Sequence, residues 1–246
     1  MMLQARNVLY ITQIQPDIRL VQESPRPIRG HGNEVNTIPD DTAPRALTSR
    51  GEARRERLLE AATQSLLEHG YAQTSIQRIV RQAGGSAATA YQLFGNKEGL
   101  LVAVLEHELN GMRAAVFADA MLDQPVGPAL HELARRLLTY ALQPKSAALY
   151  RLIVSESHRL PHLAESLRQA VEVQLHAPLE QCLTRACARG ELRIDDPRLA
   201  ARTLGNLING IASHARLTGG RADGPDADHL ATCRYGVDTL LRAFRA

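Results

Sequence analysis

Tryptophan is absent from this chain of 246 residues, and aromatic residues of any kind make up only 4%. With a hydrophobic share of 44%, a sizeable core must be built mainly from Leu, Ala, Val and Ile. Ala and Leu are strong helix formers and β-branched residues are few, so this composition favours helices over a sheet. No run of eighteen apolar residues occurs, so no transmembrane helix and no membrane partner are expected. The first residues lack the basic stretch, apolar segment and small-residue cleavage site of a secretory signal, which makes the cytoplasm the default location. Three cysteines, Cys182, Cys187 and Cys233, make no disulfide framework: their number is odd, they sit in segments that read as helical, and none belongs to a CxxC pair. They read as small buried hydrophobes. GxGxxG and GxxxxGK[ST] are missing, as are HExxH, GxSxG and the kinase signatures. Neither an enzyme nor a cofactor is therefore expected.

Charge is unevenly spread behind a net +3. Arg45 to Lys97 holds eight basic and four acidic residues, whereas from Glu98 onward seventeen of each cancel. The earlier region is where a polyanion could be held. Length allows one large domain, or one small and one large.

Residues 1–48 contain five of the twelve prolines and little helical periodicity, and read as a linker-like extension. An overextended gene start is the alternative. Within them NVLYITQIQPDIRLV has some β-propensity, with Val8, Tyr10 and Ile14 loosely alternating, but a lone strand interrupted by Pro has no evident partner. From Arg50 the period becomes helical. Leu58, Leu59, Ala62, Leu66 and Leu67 fall on one side of a helix that Gly70 should stop. In TSIQRIVRQAGG, Thr74 and Gln77 match a capping box, and Ile76, Ile79, Val80 and Ala83 form a short apolar stripe. Ser86 is then a candidate N-cap for AATAYQLF, with Ala90, Leu93 and Phe94 inward. Asn96 caps a longer helix running to Leu122, with Leu100, Leu101, Val104, Leu105, Met112 and Val116 as its stripe. Helical patterns follow near 127–142, 145–158, 161–189, 196–218 and 226–244, and Pro144, Pro161 and Pro197 stand at the expected starts. The expected architecture is all-α: a three-helix helix-turn-helix domain over 49–97, then a helical bundle over 98–246.

The second short helix is suited to a DNA major groove, whose dimensions admit one helix. Ala87 and Ala88 permit close approach, Thr89 can donate or accept, and Gln92 can pair with an adenine edge. Tyr91 and Lys97, a hydroxyl and a charge beside helix N-termini, suit phosphates better than bases, and Ser86 at the helix start completes the candidate DNA-binding set. Arg54 and Arg55 could extend that grip. Each residue also has a plainer reading: Tyr91 as a shield over the turn, Lys97 as a solvated helix start.

Residues 54–105 resemble the N-terminal domain of the tetracycline-repressor (TetR) family of bacterial transcriptional regulators. The resemblance rests on LLEAATQSLLEHGYAQTSIQRI, AGGSAATAYQLF and NKEGLLVAVL, with the YxxFxxKxxL spacing kept as Tyr91, Phe94, Lys97 and Leu100. It implies phosphate contacts for Tyr91 and Lys97 and a place near the DNA backbone for Thr74. The chain departs from the family pattern where Gly85 replaces a bulky aliphatic residue and where Ala87, Ala88 and Ala90 leave the reading helix plain. Readout is therefore expected through Thr89, Gln92, phosphates and DNA shape.

LYRLIVSESHRLPHLAESL and ARGELRIDDPRLAARTLGNLINGI resemble effector-domain segments of the same family. That resemblance implies a homodimer joined through the last two helices, with Leu204, Leu207, Ile208 and Ile211 supplying apolar area, and a palindromic double-stranded DNA operator. It also implies a mainly apolar small-molecule effector. Leu109, Met112, Arg113, Val116, Tyr140, Tyr150, His158 and His176 are the candidate lining residues. Ser155, Glu156 and His158 in IVSESH lack an orienting third group for nucleophilic catalysis, and Pro161 separates His158 from His162 as a metal pair. The overall expectation is a ligand-released repressor. Its rival is a helical small-molecule-binding or scaffold protein whose plain reading helix has lost specific DNA binding.

Overall fold

The computed structural model describes residues 49–117, 124–218 and 224–246. The expected linker over 1–48, with its weak strand at Val8, Tyr10 and Ile14, lies outside these, as do residues 118–122 of the long fourth helix. Ten α-helices follow one another in the described residues: α1 (Ser49–Gln73), α2 (Ile76–Ala83), α3 (Ala87–Phe94), α4 (Lys97–Val116), α5 (Val126–Ala141), α6 (Pro144–Ser157), α7 (Pro161–Val171), α8 (Ala177–Ala188), α9 (Pro197–Leu217) and α10 (Ala227–Ala243). Proline opens α6, α7 and α9, where its missing N–H leaves no hydrogen bond unmade.

The first helices are set by their caps. Gly70, at φ 73° and ψ 172°, breaks the path of α1 where the sequence places a stop. Leu58, Leu59, Ala62 and Leu66 are buried as expected, but Leu67 is on the surface, one position beyond the stripe. The cap of α2 is Ser75, not Thr74: its hydroxyl accepts from the Arg78 amide at 3.3 Å. Thr74 turns inward, aiming its own hydroxyl at the carbonyls of Gly70 (2.8 Å) and Ser65 (3.1 Å). Gln77 takes no part in the cap, and its side-chain amide reaches toward the Tyr91 hydroxyl at 3.4 Å. Ser86 caps α3 through the Thr89 amide, and Asn96 caps α4 through the Gly99 amide at 2.8 Å, both as the sequence suggests.

Two apolar clusters form the interior. One gathers Leu58, Leu59, Ile76, Ile79, Ala90, Phe94 and Leu100–Leu105 from α1–α4, but Leu149, Ile153 and Leu163 from α6 and α7 also belong to it. The other is built from α5, α8, α9 and α10 together with Met112 and Val116 of α4. Leu109 packs against both, so α4 runs from one core into the other.

The segment expected as one helix over 161–189 changes character midway. Leu163, Leu167, Val171, Leu175 and Leu179 recur every four residues. On an ideal α-helix, four such steps would rotate the apolar line by about 160°. A π-helical turn at Glu172–His176 takes up the mismatch with its wider i→i+5 closure. It lets α7 meet the first cluster and α8 the second.

The cap assignment is testable by urea unfolding. Ser75→Ala should cost about 1 kcal/mol, Thr74→Val about 1–3 kcal/mol through unpaired buried carbonyls, and Gln77→Ala less than about 0.5 kcal/mol. Equal losses at Ser75 and Gln77 would restore the capping box.

Candidate nucleic-acid interface

The geometry of α3 follows from which of its residues the core takes. Ala90 and Phe94, one turn apart, are 2% and 8% exposed, and they hold the helix by one side against α2 and α4. Ala88, Tyr91 and Gln92 are consequently exposed, with Tyr91 at 44%. Ala87 and Thr89 are half-buried at the edge of that face, and Ser86 is exposed at the helix start. The hydroxyls of Ser86 and Thr89 lie 2.9 Å apart, so the first turn offers two oxygens and its own free amides at one point.

Around this face the basic groups are placed differently from one another. Arg54 is exposed, and its Nε would lie 3.9 Å from a β-carbon on Gly85, so its side chain passes over the α2–α3 turn. Arg55 is half-buried. Gly85 sits at φ +122°, a conformation that L side chains rarely adopt, which accounts for a glycine where a bulky aliphatic residue is common. Lys97 is held across the structure: its ammonium donates to the Ala72 carbonyl at 3.0 Å and lies 4.3 Å from the centre of the Tyr71 ring. Partial burial lowers the Lys97 pKa, against an opposing pull from the Glu156 carboxylate. Burial, followed by the charges of Glu98 and Glu156, raises that of Tyr71. Lys97 therefore locks the end of α1 to the start of α4, and an ammonium with three donors keeps hydrogens for a phosphate.

Thr74 is the correction at this surface. At 3% exposure, with its hydroxyl committed to two backbone carbonyls, it cannot touch a duplex. It shapes the turn that presents α2 and α3. An adjacent Thr–Ser pair does not reveal from sequence which hydroxyl caps and which turns inward.

The residues expected around an effector scatter. Met112, Val116 and His176 are buried, while Leu109, Tyr140 and Tyr150 are half-buried. Tyr140 donates to the Glu108 carbonyl at 3.2 Å, and burial pushes its pKa well up. Arg113 and His158 are exposed, and Arg113 faces an open surface cleft beside Val173 and Pro178, which corrects the expectation of a shared interior lining. Arg113 lies 3.5 Å from the Gln174 side chain on the surface; His158 falls at the C-terminal end of α6, where the helix runs out to solvent.

The expected dimer residues also divide. Leu204 and Ile208, 2% and 1% exposed, are taken by the core of their own protomer and so are not free for a partner. Ile211 is half-buried against the same core. Leu207 remains outward, in a groove between α9 and α10 that also holds Leu199, Thr203 and Tyr235. Leu199, Thr203 and Leu207 recur every four residues, a line opposite the core stripe that was present in the sequence.

A helix-turn-helix head joined to a helical body is the structure of a DNA-binding regulator. Residues 58–104 match the bacterial regulatory proteins of the tetR family, and residues 128–246 match the C-terminal domain of AefR-like transcriptional repressors. The chain is 28% identical over 182 residues to the HTH-type transcriptional regulator BetI 2 of Chromohalobacter salexigens, covering 72% of this chain and 84% of that protein. A TetR-family regulator from Mesorhizobium loti superposes with a TM-score of 0.72 at 24% identity, over 81% of this chain and 100% of that one. The flavonoid-responsive regulator FrrA superposes with a TM-score of 0.63 at 28% identity, over 79% of this chain and 98% of that one. The chain belongs to the TetR family of bacterial transcriptional regulators. Regulators of this family are DNA-binding proteins, not enzymes.

The turn between α2 and α3 can be probed at Gly85. Gly85→Ala should cost about 1–3 kcal/mol from backbone strain alone, because ordinary van der Waals space surrounds the new methyl. An unchanged urea midpoint would show that the turn relaxes freely.

Proposed function

We propose that this regulator is a ligand-released repressor that binds a palindromic operator as a homodimer in the cytoplasm, beside the chromosome. The division into a reading head over 49–97 and an effector and dimer region over 98–246 belongs to the same reading. The observation that carries it is the split face of α3, with Ala90 and Phe94 anchored in the core and Tyr91 and Gln92 outward. Ser86, Ala87, Ala88, Thr89 and Gln92 would approach base edges, and Tyr91, Arg54, Arg55 and Lys97 the phosphates. With small side chains over much of this face, specificity would draw on groove shape as well as on Thr89 and Gln92.

A dimer is supported by the exposed apolar line of Leu199, Leu207 and Tyr235 along α9 and α10. One helix-turn-helix has a small footprint, whereas two related by a two-fold axis read half-sites about 34 Å apart or a multiple of it. A mainly apolar effector would be taken up among Leu109, Met112, Val116, Tyr140 and Tyr150. It would act by favouring a dimer whose heads no longer match that spacing.

Mobility shift with genomic fragments, including DNA upstream of the protein's own gene, tests the central reading. Salt-dependent and fragment-selective retention is expected, and no preference over random duplex at low salt would defeat it. Tyr91→Phe and Lys97→Ala should weaken binding to all duplexes alike, each by about tenfold if one charge-assisted phosphate contact is worth about 1.5 kcal/mol. Leu207→Glu combined with Tyr235→Glu should give a monomer in sedimentation, and a persistent dimer would move the interface elsewhere.

A further inference from the structure

The inner face of α9 is a single line of residues, Gly205, Ile208, Ala212 and Arg216, spaced by three or four. Three of them are small or apolar. The fourth is a guanidinium.

Arg216 is 9% exposed, and its guanidinium carbon lies 4.3 Å from the centre of the Tyr150 ring. Its Nε is sealed from solvent and has no acceptor, and no carboxylate among the described residues comes within ion-pair reach of it. The backbone carbonyl of Arg216 is occupied, accepting from Arg151 at 3.2 Å. Tyr150 spends its hydroxyl proton on the Ser213 oxygen at 2.9 Å, which leaves the Ser213 proton free to donate. Burial lowers the pKa of Arg216, but a guanidinium stays charged across the working range. A charge withdrawn from water is ordinarily compensated by a paired anion, and stacking on one ring is a weak substitute. The His176 ring lies so near Gly205 that a β-carbon there would sit 2.9 Å from its Cδ2.

Building on the effector reading above, we propose that the buried guanidinium of Arg216 and the hydroxyl of Ser213 form the anion-recognising end of the effector site, which takes a monocarboxylate with an aliphatic body. The body would lie among the half-buried Leu109, Tyr140 and Tyr150 of the effector reading. A single guanidinium suits a singly charged, planar carboxylate, which it can meet through two parallel N–H groups. A doubly charged phosphate would ask for a second cation, and the neighbouring Arg151 is turned to a backbone carbonyl.

Calorimetric titration of the full chain without DNA tests this. The probes are straight-chain carboxylates from butanoate to dodecanoate, the neutral amides of the same lengths, and decyltrimethylammonium. At least one carboxylate should bind tenfold or more tightly than its amide, and the cation should not bind. Arg216→Met should abolish that preference while leaving amide binding unchanged. Should that variant misfold, Arg216→Lys carries the test, because it keeps the charge but loses the planar fork: the carboxylate alone should weaken, by three- to tenfold. The proposal falls if no carboxylate binds, if carboxylate and amide bind alike, or if the preference survives in Arg216→Met. A carboxylate that binds without releasing DNA would instead count against ligand release and leave this site standing.

Discussion

The continuity of α4 is the constraint on which the rest of the structure depends. Its first half contributes Leu100–Leu105 to the cluster under the DNA-facing helices, and its second half contributes Met112 and Val116 to the cluster of the body. The helix is unbroken from Lys97 to Val116, with Gly111 inside it, and Leu109 touches both interiors. One helix therefore belongs to both interiors, each packed at crystal-like density.

A second connection runs beside it. Leu149 and Ile153 place α6 in the head cluster, while the hydroxyl of its Tyr150 and the guanidinium of its Arg151 reach α9. The helix that touches the head's interior thus also touches the helix whose outer side carries Leu199 and Leu207. Glu156, at the other end of α6, adds its charge to the surroundings of Lys97 and Tyr71. One short helix thus contacts the head cluster, α9 and the surroundings of Lys97.

Much of this was legible because periodicity and caps are local. The apolar stripes of α1–α4, the caps Ser86 and Asn96, and the starts at Pro144, Pro161 and Pro197 all follow from residues within a turn or two of one another. What sequence could not decide were choices between equivalent neighbours. Thr74 and Ser75 both carry a hydroxyl, and only the depth of Gly70 and Ser65 determines which one turns inward. Leu204, Leu207 and Ile208 are all apolar on one helix, and only the position of α8 and α10 shows that two of them serve the protomer's own core. Arg113 and His158 looked like pocket residues because polar groups on amphipathic helices fit either side of the boundary. The burial of Arg216 against Tyr150, without a carboxylate partner among the described residues, had no local signal at all, since it depends on what α6 brings to it.

The π-helical turn at Glu172–His176 has a consequence for how the chain tolerates change in length. Deleting one residue there would leave an unbroken rod, since ordinary α-helical bonding could close across the gap. The rod would nonetheless be wrong. Every side chain of α8 would swing by about 100° and slide by about 1.5 Å relative to α7, carrying Leu179, Cys182 and Leu183 away from their present neighbours. That turn is a spacer whose value lies in angle more than in distance, and a one-residue deletion within it would do more harm than the same deletion in a surface loop.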